Sequence, residues 1–281
     1  MPWTGPALAA TFALSAAAAW GSGDFTGGVA ARRVGPFHTV LLSYGVGLLA
    51  LVLVALARLE PFPPVTDLGW GGLAGVSGMV GLGFLLRGFA GARMGIVASV
   101  SGVLATAMPV FFAALTEGLP RGSQLLGFGL ALASIWLLSR PDRLGARTRG
   151  IGVGVLAGVG FGGFFIALDQ VGERALFWPL VAGRLASCAL MIALTLSTRR
   201  PIIPPAAPLG LLALAGILDV AGNLFFLLAI QRGRLDVAAV LGSLYPAVTA
   251  ILARLVTHEH LARLQVLGVA TAVLAIALIT R

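Results

Sequence analysis

Trp20-Gly21-Ser22-Gly23-Asp24-Phe25-Thr26-Gly27-Gly28 sets a carboxylate near the end of a run that opens with Ala7-Leu8-Ala9-Ala10 and is otherwise almost wholly apolar. If the run crosses a bilayer, Asp24 lies inside it, and an ionisable group in lipid must face a cavity, find a partner or go neutral. The rest of the chain decides for a bilayer. Of its 281 residues, 58% are hydrophobic and 10% charged, where a soluble domain carries roughly 25% charged residues. The mean hydropathy is +1.00. So little charge cannot solvate a surface of this size, and the exterior must face lipid. The composition specifies an all-α polytopic membrane protein.

A bilayer core about 30 Å thick takes roughly 20 apolar residues as a helix. Charge and proline breaks divide the chain into ten such runs, at 7–31, 36–57, 68–89, 94–116, 122–139, 149–170, 175–197, 208–230, 235–257 and 263–280. Most connections are short, among them Arg32-Arg33, Glu60-Pro-Phe-Pro-Pro64 and Arg199-Arg-Pro201. The longest polar gap, 140–149, falls at the middle and separates two halves, 1–140 and 148–281. The first run has no basic segment ahead of it and leads into Arg32-Arg33, as a retained span does rather than a cleaved signal.

The halves resemble each other at a shift near 140. Gly95-Ile-Val-Ala-Ser-Val-Ser-Gly102 lies over Leu235-Asp-Val-Ala-Ala-Val-Leu-Gly242, Pro109 corresponds to Pro246, Gly127 to Gly268, and Trp20-Gly21 to Phe161-Gly162. Each half holds five runs. Five is odd, so the second half must enter the membrane in the opposite sense to the first. That is an inverted-topology repeat, which many carriers use to place one site between two halves. Gene duplication alone would also produce it.

Net charge is +9, from 19 arginines, no lysine and ten acids. The arginines fall mostly between apolar runs, so they serve topology and headgroups, not nucleic acid. One side carries Arg32, Arg33, Arg93, Arg140, Arg143, Arg147, Arg149, Arg199, Arg200 and Arg263. The other carries Arg58, Arg121, Arg174, Arg232, Arg234 and Arg281. The excess makes the first side cytoplasmic and puts both termini outside the cytoplasm.

These features together carry a family resemblance. The Trp20-Gly21 opening, the Pro109 and Pro246 spans followed by Glu117 and Glu259, and the Gly127 and Gly268 starts of the closing spans resemble the EamA-type family of the drug/metabolite transporter superfamily. The resemblance covers nearly the whole chain, in two copies. It implies a ten-helix bacterial inner-membrane carrier of two inverted five-helix halves, with export of amino acids or other small metabolites as the activity of many members. The chain departs from an even repeat in one place. Pro109 is eight residues from Glu117, whereas Pro246 is thirteen from Glu259, which makes the fourth helix about a turn shorter than the ninth.

Three charges sit at depth. Asp24 is eight residues before Arg32, about 12 Å along a helix, and Arg184 is ten past Arg174, about 15 Å. Asp219 is near the middle of the eighth run, and Asn223 shares its helix face one turn on. Arg184 suits a solute carboxylate or an acid partner, the alternative being a buried pair that only orders the bundle. Asp24 or Asp219 can take up a proton once desolvated. Trp20 lies one turn before Asp24, and with Tyr245 it is a candidate solute contact; packing is the competing role for both. The expected binding set is therefore Trp20, Asp24, Arg184, Asp219, Asn223 and Tyr245. Gly23 and Gly27 around Asp24, and Pro109 and Pro246 at matched places in the repeat, are the expected hinges.

No phosphate-binding loop, Ser/His/Asp set or cofactor signature is present. Cys188 stands alone. His258-Glu259-His260 lacks the spacing of a zinc helix, so no metal site and no catalytic residue is expected. The expected function is secondary transport of small metabolites, most of all export of amino acids or similar amphipathic solutes by alternating access, with protons as a coupling partner. The protein would act as a monomer or homodimer. A non-transporting membrane scaffold and a membrane-embedded enzyme are the alternatives.

Overall fold

In a bilayer core no water is available to the backbone, so its polar groups must bond within the segment, as a helix does. The computed structural model describes residues 5–91, 94–139, 150–198, 207–258 and 262–280, and no strand occurs among them. The helices are α1 (Gly5–Ala57), α2 (Val65–Gly91), α3 (Met94–Thr116), α4 (Gly122–Ser139), α5 (Ile151–Asp169), α6 (Phe177–Thr198), α7 (Leu209–Ile230), α8 (Leu235–Gly242), α9 (Tyr245–Val256) and α10 (Arg263–Ile279). The linker 140–149, with Arg93, Arg199, Arg200, Glu259, His260 and Arg281, lies outside the described residues.

Two breaks differ from expectation. Runs 7–31 and 36–57 are arms of one helix, bent at Gly35, whose φ is 80° and ψ 156°. Positive φ costs glycine little, and Pro36 drives the residue before it out of the helical region. Arg32 and Arg33 are therefore helical, not a connection. By contrast, α1 is unbroken through Gly23 and Gly27, the expected hinge. Gly23 instead makes room for α7: a Cβ there would stand 3.4 Å from Leu218 Cβ and 3.5 Å from Asp219 N. The second break splits the expected ninth span into α8 and α9. Pro246 lies in the first turn of α9, where its missing N–H forfeits no helical bond. Helix α3 runs continuously through Pro109, so the matched prolines differ in local geometry.

Among the described residues, six segments are long and apolar enough to cross a membrane: Gly5–Ala57, Val65–Leu85, Ile151–Asp169, Phe177–Leu196, Leu209–Ile230 and Leu235–Val256. The shorter apolar stretches Val100–Thr116, Gly122–Leu138 and Arg263–Ile279 account for part of the difference from ten, and the single bent α1 for the rest. Large apolar side chains face outward along the bundle, including Leu53, Phe111, Leu196 and Val273. In water this would be an aggregation surface; in lipid it is solvated.

Association in lipid gains little from apolar burial and depends on close packing of small residues. The contacts obey an exchange of halves. Gly21 of α1 abuts Tyr245 and Val248 of α9, and its sequence counterpart Gly162 of α5 abuts Met108 of α3. Gly216 of α7 lies on Ser43 in the second arm of α1, and Gly75 of α2 on Gly183 of α6. Helices α4 and α10 pair with each other. Gly127 near the start of α4 meets Ile279 at the end of α10, and Gly268 near the start of α10 meets Leu138 at the end of α4, so these two run antiparallel.

One end of the bundle is pinned. The Glu60 carboxylate accepts the backbone N–H groups of Leu176 (2.7 Å), Phe177 (3.0 Å) and Trp178 (3.1 Å), an anion on the positive end of α6. Asp67 accepts from Gly172 N at 3.2 Å. Arg234 donates to the Glu117 and Gly118 carbonyls at 3.1 and 2.6 Å and to Asp236 at 2.7 Å, while Glu117 accepts from Leu235 N. Asp236 is fully buried. These bonds tie the α3–α4 connection to the start of α8, in the other half. The opposite end carries the bend of α1 and the starts of α3, α5, α7 and α10.

Candidate functional site

A cavity of about 740 Å³ lies within the bundle and draws its walls from both halves. Trp20, Asp24, Arg184, Asp219, Asn223 and Tyr245 all line it. Of the expected hinges, Gly23, Gly27 and Pro246 line it as well, while Pro109 is buried within α3 away from it.

Each polar group is held differently. Arg184 is 6% exposed. Its terminal nitrogen makes an ion pair with Asp219, and its Cζ sits 4.0 Å from the centre of the Tyr44 ring. Helix α6 thus supplies a cation that α7 neutralises and the second arm of α1 covers. Arg184 is one member of a buried pair, and the pair borders the cavity. Asn223, one turn beyond Asp219, accepts a 3.0 Å bond from Trp20 Nε1. That fixes its oxygen and leaves the amide N–H₂ for another acceptor.

Asp24 is exposed to the cavity, and among the described residues no hydrogen bond or ion pair reaches it. Its carboxylate is in electrostatic range of Asp219 and Tyr245. The α1 glycines explain the placement. Gly21 and Gly23 bring the helix close to α9 and α7, and Asp24 then projects into the space between them.

The apolar wall is aromatic. Trp20 stands 5.9 Å from Phe165 and 6.5 Å from Phe164 between ring centres, and all three line the cavity. Phe226, fully buried, backs Phe165 at 4.7 Å. Behind the indole is Gly222, where any Cβ would run into the ring.

The cavity runs from Leu168 and Pro179, near the pinned connections, toward the end where α1 bends. Lining residues reach Ala31, Pro36, Leu85, Leu138, Ala253 and Gln265 at that end. None comes from the pinned connections 58–64, 117–121, 170–176 or 231–234.

Lining residues outside the expected set include Ser43, Tyr44 and Thr249. Thr249 Oγ1 donates to Gly21 O at 3.0 Å and ties α9 to α1. Ser43 Oγ is buried without a hydrogen-bond partner among the described residues. Tyr44 carried a signal, being one of two tyrosines in the chain and at mid-span. The two hydroxyls carried none. No group of three or more metal-binding side chains occurs among the described residues.

Comparison with known proteins agrees with this architecture. The model of the EamA-like transporter family matches residues 7–140 and again 148–281. None of the curated proteins matches. One solved crystal structure, 20% identical, superposes with a TM-score of 0.77 over 96% of this chain and 95% of its own. At that identity the likeness is one of fold.

Proposed function

The chain belongs to the EamA-like transporter family, and from that membership in the drug/metabolite transporters we propose a secondary carrier that works by alternating access. The reading makes ten crossings. The two arms of α1 count separately, α8 and α9 together form one, and the shorter α3, α4 and α10 each form one. The halves 1–140 and 148–281 are then five-helix repeats of opposite orientation, for which the antiparallel pairing of α4 with α10 is the support.

The observation that carries the proposal is a cavity bordered by both halves, whose lining stays clear of the pinned connections. Rocking of one half against the other would exchange the end from which it is reached. The solutes are small amphipathic metabolites, amino acids among them, bound between Trp20, Asp24, Arg184, Asp219, Asn223 and Tyr245. Export from the bacterial cytoplasm across the inner membrane is the direction, with extracytoplasmic termini. Arg32 and Arg33, at the end where α1 bends, support that orientation, because the arginine-rich side faces the cytoplasm. Asp24 and Asp219 are the groups through which a proton gradient would couple.

A solute-accumulation and resistance profile of cells overproducing the chain tests this, read beside Asp24→Asn and Asp219→Asn. The expected result is a changed profile for a restricted set of metabolites, with gradient-driven flux lost in both variants while membrane insertion persists. Gradient-driven flux that survives both changes would remove the proton role. An unchanged profile with the intact chain present in the membrane would favour a scaffold over a carrier.

A further inference from the structure

The charges of the cavity point to a narrower class of solute than its shape does. Among the described residues, two carboxylates and one guanidinium line it, Asp24, Asp219 and Arg184, so its formal charge is negative. The guanidinium is already occupied. Arg184 is buried, paired with Asp219 and covered by the Tyr44 ring. Asp24 is the reverse case, a carboxylate turned to the cavity with no hydrogen-bond or ion-pair partner among the described residues.

A solute carboxylate entering this space would meet negative charge and no open cation, away from bulk water, where an unpaired charge is costly. A solute ammonium would meet Asp24, with Tyr245 within its electrostatic range. The wall of Trp20, Phe164 and Phe165 offers a flat apolar body its contact area, and aromatic faces attract a cation besides. Ser43, whose Oγ is buried without a hydrogen-bond partner among the described residues, borders the same cavity. We propose that the cavity takes organic amines that bear an ammonium group on a flat apolar body and lack a carboxylate, with Asp24 as the ammonium's partner. This rests on the carrier reading above and narrows its solutes to amines, setting amino acids aside.

The test is calorimetric titration of the purified full-length protein in lipid nanodiscs with three compounds that share one ring: tryptamine, tryptophan and indole-3-acetate. Tryptamine should bind about tenfold tighter than tryptophan or better, a difference that titration resolves readily, and indole-3-acetate should bind weakest. Asp24→Asn should abolish most of the affinity for tryptamine, and Asp24→Glu should retain it, which separates a lost charge from a lost fold. Equal affinity for tryptamine and tryptophan, no binding of any of the three, or unaltered tryptamine binding in Asp24→Asn overturns the assignment. Flux of the same compounds into proteoliposomes is scored separately. Carriage of tryptophan without tryptamine binding overturns the amine assignment and leaves the carrier standing. Tryptamine held at Asp24 with no flux of any compound upholds the site and overturns the carrier.

Discussion

Arg184 and Asp219 are the pair on which the centre of the molecule turns. The side chain of Arg184 is 5% exposed and that of Asp219 32%, so one partner is sealed and the other borders the cavity. Removing one member of a fully buried pair costs about 3–5 kcal/mol, because the other is left charged and unpaired. Here Asp219 keeps a third of its surface open, so Arg184→Ala should cost less, about 2 kcal/mol by the same reasoning. The double variant Arg184→Met/Asp219→Leu removes both charges and should recover most of that loss. Thermal unfolding in detergent checks the order: wild type highest, the double variant close behind, Arg184→Ala lowest. Equal midpoints for the single and double variants would mean that the two groups are not coupled. The pair also bears on selectivity. A cation that is neutralised at rest orders helices α6 and α7 and leaves Asp24 as the uncompensated charge.

At the scale of helices, glycine decides where two backbones touch, and two neighbours on α2 show it. A Cβ on Gly75 would fall into the backbone of Gly183 on α6, whereas one on Gly72 would meet nothing within 4 Å. Backbone cannot rotate aside as a side chain does, so Gly75→Ala should cost about 3 kcal/mol, at the high end for overpacking. Gly72→Ala should be neutral or gain up to about 0.5–1 kcal/mol, since alanine is the better helix former. Thermal midpoints of the two variants, one turn apart, measure the contrast directly. Glycine at four-residue spacing, as at Gly71/Gly75 and Gly154/Gly158/Gly162, is visible in the sequence, but which glycine meets a backbone is not. The same limit applies to the breaks. Gly35-Pro36 follows two arginines, so a bend and a short connection look alike in the apolar pattern. Ser243-Leu244 carries no charge or glycine, and Pro246 signals a kink and a helix start equally well. Polar groups at mid-span were legible because charge is scarce in this chain, and Asp24, Arg184 and Asp219 stand out at any reading depth. Their partners were not legible. A hydroxyl in an apolar helix usually bonds the carbonyl one turn back, as Thr39 and Thr106 do. Nothing in the sequence marks Ser43 as the exception.

The molecule as a whole is asymmetric in one respect that its internal repeat is not: the cavity lining runs to Ala31, Pro36 and Gln265 at the end where α1 bends and stops short of the connections that Arg234 bonds. Arg234 reaches the carbonyls of Glu117 and Gly118 across the halves and the buried Asp236 beside it. If the halves rock, these bonds must break when the pinned end opens. Hydrogen bonds to a charged group contribute about 1.5–3 kcal/mol when well buried. The Arg234 side chain is 30% exposed, which lowers its share to about 1.4 kcal/mol, or tenfold in the balance between the two end states. Arg234→Ala should therefore raise access to the cavity from the pinned end by about that factor. A cysteine at Ser243, which lines the cavity, reports it in a Cys188→Ser background, labelled with a membrane-impermeant maleimide in vesicles of either orientation. With Arg234 intact, labelling should proceed chiefly from the end where α1 bends. With Arg234→Ala, labelling from the opposite side should rise about tenfold while the first rate falls only slightly, as expected when a minor state gains population at little cost to the major one. An unchanged rate from the pinned side would make Arg234 a local anchor for the start of α8, and the closure of that end would then have to be assigned to helix packing alone.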